Sequence, residues 1–264
     1  MMTPLERSDP FYSPKSLLID VEAERLRLDE TIGAFLDQKP FGTKIELSPD
    51  GKWLEQKIFT TVEIPRDIET AARRMVQDSR HALDQAISTV CSSGKPYFPV
   101  GTSRDDFENK CQKLVEKNSC PAAVVDAIRE FEPFFDLSTK EGSYPIWAMH
   151  EVCNDTKHNL IMPVPVSVGR TVWDFVTVVG PTGPAQLGVH EPWNWERNET
   201  VVNRFQPTAR VSYKAQMELK FKAVSERAHM DHDVIILSSM YWIACGIVKE
   251  IKNAFLARPK FTAL

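Results

Sequence analysis

Apolar residues along this chain recur at two rhythms, every third or fourth position in its first two thirds and at its end, and every second position elsewhere. The first rhythm predicts helices and the second predicts strands with one buried face. Leu17, Leu18, Val21, Ile32 and Leu36 keep helical spacing between about residues 13 and 37, with Pro40 beyond, which predicts a first helix. Lys44 to Leu47 alternates, Ser48, Pro49, Asp50 and Gly51 form a turn signal, and Trp53 to Ile64 is rich in aromatic and β-branched residues. That order predicts a β-hairpin. Pro65, followed by Asp67 and Glu69, opens a long helix to about Cys91, with a stripe through Ile68, Ala72, Met75, Leu83 and Ile87. Ser103, three residues before Asp106, predicts the cap of a helix through Lys117. Pro121 opens another to about Phe131, and Pro145 one to about Asn159.

From Leu160 the texture changes, with prolines at 163, 165, 181, 184, 192 and 207. Thr171 to Val179 is strand-like, and Val211 to Ala223 alternates apolar and polar residues, as in an antiparallel sheet with one wet face. Val234 to Leu256 predicts a closing helix. The expected fold is α+β in a single domain over residues 1–264. It has a helical bundle core (about 65–159), an N-terminal β-hairpin, and a strand-rich part (about 160–224) whose antiparallel sheet is closed by a long apolar helix (about 234–256).

Composition narrows the function more than the fold. With 264 residues, 42% of them hydrophobic, the chain has material for a large core and is no disulfide-stapled miniprotein. A net charge of −4 gives no overall basic field for a nucleic acid. Five cysteines without a C-x-x-C pattern predict reduced thiols. The charged, proline-bearing first residues lack the apolar core of a signal peptide, so a cytoplasmic location is expected. The apolar run from Val234 to Val248 is shorter than the ~17 to 25 residues of a bilayer span, so no membrane partner is expected. Phosphate-loop, dinucleotide, serine-hydrolase and zincin motifs do not occur, and no cofactor is expected.

The candidate chemistry lies on two helices. On the helix predicted from Pro145, His150, Asn154 and His158 follow at intervals of four beside an apolar row of Ile146, Met149, Cys153 and Leu160. Lys157 falls close to the centre of that row, where an ammonium needs an anion or must reach out to water. On the long helix Arg73, Gln77, Arg80 and Asp84 border the stripe, and Asp84 is the natural counter-charge. Trp193, Asn194, Trp195 and Arg197 form an aromatic loop, read either as a stacking surface or as a lid on the core. Arg227, His229, Asp231 and His232 resemble the H-x-H-x-D-H metal motif of the metallo-β-lactamase fold, with Arg227 where a ligand belongs. The favoured reading is a strand-to-helix loop with His and Asp at the helix start.

Four ordered blocks over about residues 65 to 160 resemble a widespread set of uncharacterised bacterial proteins. They are Arg80 to Gln85, Tyr97 to Val100, Ile128 to Phe134, and Trp147 through Asn154, Lys157 and His158. The resemblance marks Arg80, Asp84, Asn154, Lys157 and His158 as the candidate site and implies no particular activity. Gln77, Gln85 and Thr156 depart from the His, His and Asp of the pattern. A fold-level likeness to HEPN-type helical domains, whose R-x4-H spacing Arg227 and His232 also satisfy, is an analogy.

Two readings follow. In the favoured one the protein binds a partner or ligand without catalysis, and the Arg80/Asp84 and Lys157/His158 pairs tie helices together. In the alternative it is a metal-independent ribonuclease or other phosphoester-cleaving enzyme. There His158 moves the proton, Lys157 and Arg80 steady phosphate oxygens, and Asp84 orients a cation. RNA is a partner only in the second; a homo-oligomer is compatible with both.

Overall fold

The computed structural model describes residues 6–155, 161–164, 177–179, 186–187, 194, 196–212, 220–224, 229–232 and 234–257. Six helices and nine strands among these residues make an α+β fold with a helical core. Helix α1 (Tyr12–Asp37) lies along α2 (Arg66–Val90), burying Leu18, Val21, Leu28 and Phe35 against it. Pro65 stands just before α2, and Asp67 and Glu69 occupy its first turn, where the helix dipole favours acids. The stripe expected on α2 is buried from Ile68 to Val90, so packing on this face holds the helix more than propensity does. Helix α3 (Arg104–Asn118) begins where Ser103 Oγ accepts from Asp106 N at 3.2 Å, the expected cap. Helices α4 (Ala122–Arg129), α5 (Tyr144–Asp155) and α6 (Val234–Leu256) complete the set. Gly142 leads into α5 at φ +94°, where a Cβ would stand 2.0 Å from Phe134 O, so glycine alone fits that turn.

The expected hairpin is β1 (Phe41–Leu47) and β2 (Leu54–Thr60), paired from Leu47 opposite Leu54. It does not stand alone. With β5 (Gln186–Leu187) and β6 (Glu199–Phe205) it forms a four-stranded antiparallel sheet in the order β1-β2-β6-β5. A second sheet runs β3 (Ile161–Val164), β8 (Lys220–Val224), β9 (His229–His232), and a third pairs β4 (Thr177–Val179) with β7 (Arg210–Ser212).

Three expectations are corrected. The β3-β8-β9 sheet is open, not closed by a long apolar helix. Helix α6 is two-faced: it exposes Trp242 and Lys249, packs its buried row chiefly on α2 and α4, and meets β9 only slightly. The row Leu237, Met240, Ala244, Ile247 and Ile251 matches the α2 stripe, which takes it in preference to the sheet. The single strand expected from Val211 to Ala223 has its ends in two different sheets, and residues 213–219 lie outside the described residues. The expected loop at His229 to His232 is instead β9, with Phe221 opposite His232 and Val224 opposite His229. A four-residue segment with one apolar side chain carries no periodic signal of its own; its pairing partner decides it.

One face of the four-stranded sheet is a network of alternating charge. Lys57 Nζ lies 3.2 Å from Glu46, 3.6 Å from Glu55 and 3.3 Å from Glu199, while Lys44 bridges Glu46 and Glu199 and Arg204 holds Glu55. Glu55, Lys57 and Glu199 are buried. Burial opposes the charge on Glu199, but hydrogen bonds from Lys44 and Lys57 outweigh it and hold the carboxyl below its ordinary range.

Asp9 closes the helical layer. It accepts from Lys15 Nζ and Lys252 Nζ, each at 2.7 Å, and from Phe11 N at 2.9 Å, joining the start of α1 to α6. Burial pushes this carboxyl up, but the two ammonium groups and the N–H outweigh it and hold it well below the usual carboxylate range. The folded-state value is therefore below the unfolded one. The stabilisation is complete above about pH 4 and is lost as pH falls toward the folded value. Asp9→Asn is expected to cost about 2 kcal/mol near pH 7, and the gap to wild type should shrink in acid. Urea unfolding at about pH 7 and pH 3 measures this; an equal gap at both would contradict it.

Candidate functional site

Arg80 sits on the stripe side of α2, and its side chain is only 5% exposed. Its guanidinium works in three directions. Nε donates to His150 Nδ1 at 3.3 Å, Nη1 to Asp84 Oδ1 at 2.5 Å, and Nη2 to Phe98 O at 3.0 Å. Asp84 Oδ1 also accepts from Phe98 N at 2.8 Å, so the arginine–aspartate pair grips both backbone groups of Phe98. A lysine has no planar fork and cannot reproduce this arrangement. The segment 98–101 is secured on its other side as well: Gly101 N donates to Pro133 O at 2.9 Å, and Phe135 N to Gly101 O at 3.2 Å.

The bond from Arg80 holds the His150 ring in place. An arginine N–H can only donate, so Nδ1 is the accepting atom of this pair. Nε2 stands 3.0 Å from Asn154 Nδ2. His150 and Asn154, one helical turn apart, thus present a fixed polar edge on α5.

A cavity of about 620 Å³ opens against this cluster, within the range of small-molecule sites. Arg80, Asp84, His150 and Asn154 line one side of it; Lys95, Lys113, Leu114 and Asn118 line the side toward α3. Pro96, Tyr97, Phe98 and Pro99 form an apolar wall. Lys110, which also lines it, is occupied by Val100 O at 2.7 Å and Asp106 at 2.8 Å.

Of the residues expected to form the site, Arg80, Asp84 and Asn154 come together here, while Lys157 and His158 lie outside the described residues. Helix α5 is described to Asp155, short of the expected Asn159. Sequence reasoning placed His150 on the same row as Asn154 but left it out of the site. Its spacing of four from Asn154 was the available signal. The Phe98 carbonyl and the two lysines gave none, because a backbone group has no identity in a sequence and Lys95 and Lys113 belong to different segments. The Asn194–Arg197 loop lies elsewhere, beside the charged sheet face, with Asn194 Oδ1 accepting from Arg197 N at 3.1 Å; Trp193 and Trp195 are outside the described residues. Among the described residues no helix is long and apolar enough to cross a membrane.

The chain matches no protein-family model, no curated protein and no solved structure in these three comparisons.

Proposed function

We propose that this chain is an intracellular, non-catalytic binding protein that takes its ligand into the cavity between α2, α3 and α5. The observation that carries the reading is the occupation of Arg80. Its three bonds to Asp84, Phe98 O and His150 make it a brace for the cavity wall, with its charge already matched and its side chain out of solvent. A group spent in this way shapes a site rather than moving with a reaction. Three of the four blocks that resemble the bacterial set meet around the cavity, and the fourth supplies Pro133 O to hold its floor. The five cysteines are free thiols, in keeping with a reducing compartment.

The test uses anilinonaphthalene sulfonate, an aromatic anion that fluoresces in apolar cavities. One saturable site per chain is expected, abolished by Asn154→Trp, which fills the cavity from an exposed position without changing the melting temperature. Binding unaffected by that substitution, or steady cleavage of an RNA oligomer by the pure protein, would overturn the reading.

A further inference from the structure

Charge distribution sets the chemistry of the ligand. The chain carries a net charge of −4, yet the cavity is lined by four cations, Arg80, Lys95, Lys110 and Lys113, against one carboxylate, Asp84. Arg80 is matched by Asp84 and Lys110 by Asp106. Lys95 and Lys113 have no ion pair or hydrogen bond to any of the described residues. They approach from different elements: Lys113 projects from α3, and Lys95 follows the loop tied to the end of that helix by Asn118 Nδ2, which donates to Ser93 O at 3.0 Å. Two unmatched lysines lining one cavity of an acidic protein favour an anionic group, and lysine serves phosphate well as a point charge.

The rest of the cavity is too large for inorganic phosphate alone and has a different character. Tyr97, 68% exposed, stands on a proline-flanked apolar wall beside Phe98, a surface suited to stacking a flat ring. Beyond it, His150 and Asn154 on α5 bring polar side chains to the cavity lining. Phosphate at the lysines, ring on Tyr97 and polar edge on α5 fit a single molecule.

We infer that the cavity binds a nucleoside monophosphate, with the phosphate between Lys95 and Lys113 and the base against Tyr97. This rests on the binding reading above and sharpens it. Calorimetric titration of the pure protein with adenosine, cytidine, guanosine and uridine monophosphates is expected to show at least one of them binding one to one. The matching nucleoside and inorganic phosphate should each bind at least about tenfold more weakly. Lys113→Glu and Tyr97→Ala, both at exposed positions, should each weaken binding about tenfold without lowering the melting temperature. If none of the four binds while the fluorescent sulfonate still occupies a site blocked by Asn154→Trp, the nucleotide inference fails and the binding reading stands. If neither binds, both fail. Equal affinity for nucleotide in wild type and Lys113→Glu, or tighter binding of an RNA pentamer than of any monophosphate, also overturns the inference.

Discussion

Replacing Arg80 by methionine is expected to destabilise the protein by about 3 to 5 kcal/mol, a fall in melting temperature on the order of 10 °C. Methionine fills much of the same space, so the loss is one of polar partners. Phe98 O and His150 Nδ1 lose their donor, and Asp84 keeps only the Phe98 N–H. An unmet buried carbonyl costs more than the bond that served it, which is why the effect exceeds that of an exposed i,i+4 pair. Arg80→Lys restores the charge but reaches fewer of the three acceptors, and it should fall between methionine and wild type. Asp84→Asn should cost less than Arg80→Met, since an amide oxygen still accepts from Phe98 N. Thermal unfolding of the three variants measures the series. A methionine variant melting within about 2 °C of wild type would show that the brace is not structural.

The second large effect belongs to the charged sheet. Lys57→Met should cost about 3 kcal/mol, because it leaves Glu55 and Glu199 buried with one cation each where they shared three. The sign with pH follows from the carboxyls. Hydrogen bonds from Lys44 and Lys57 leave Glu46 and Glu199 with folded-state values below the ordinary one. The network's contribution is therefore complete above about pH 4.5 and lost as pH falls further, so the deficit of the variant should be largest near neutrality and narrow in acid. The double variant Lys57→Met with Glu199→Gln should lose less than the two single losses combined, by about 1 kcal/mol or more. Strict additivity in denaturant unfolding would mean that the two charges do not interact.

Much of the helical layer was legible because its signals are local. The α2 stripe, Pro65, the Ser103 cap and the turn at Ser48 to Gly51 each act within a few residues, and each stands where expected. The charged sheet was not legible, for a physical reason. Glu55 and Lys57 carry no local signal of burial, and it is pairing with Glu199 and Arg204, distant in sequence, that leaves them buried. The site shows the same division. Arg80 and Asp84 were visible as a pair four apart on the border of the stripe. The other two partners of Arg80 are a backbone carbonyl, that of Phe98, and His150, which only the packing of α5 against α2 brings near.

The packing of α6 on α2 also orders events during synthesis. Helix α1 can settle on α2 as soon as Val90 is made, but the part of the α2 stripe that faces α6 must wait for Val234 to Leu256. At about 5 to 20 residues per second, that apolar surface stands uncovered on the ribosome for on the order of ten seconds. The nascent chain is therefore most exposed to chaperones and to aggregation in this interval, and the lysine that reaches Asp9 from α6 is among the last groups to lock the helical layer.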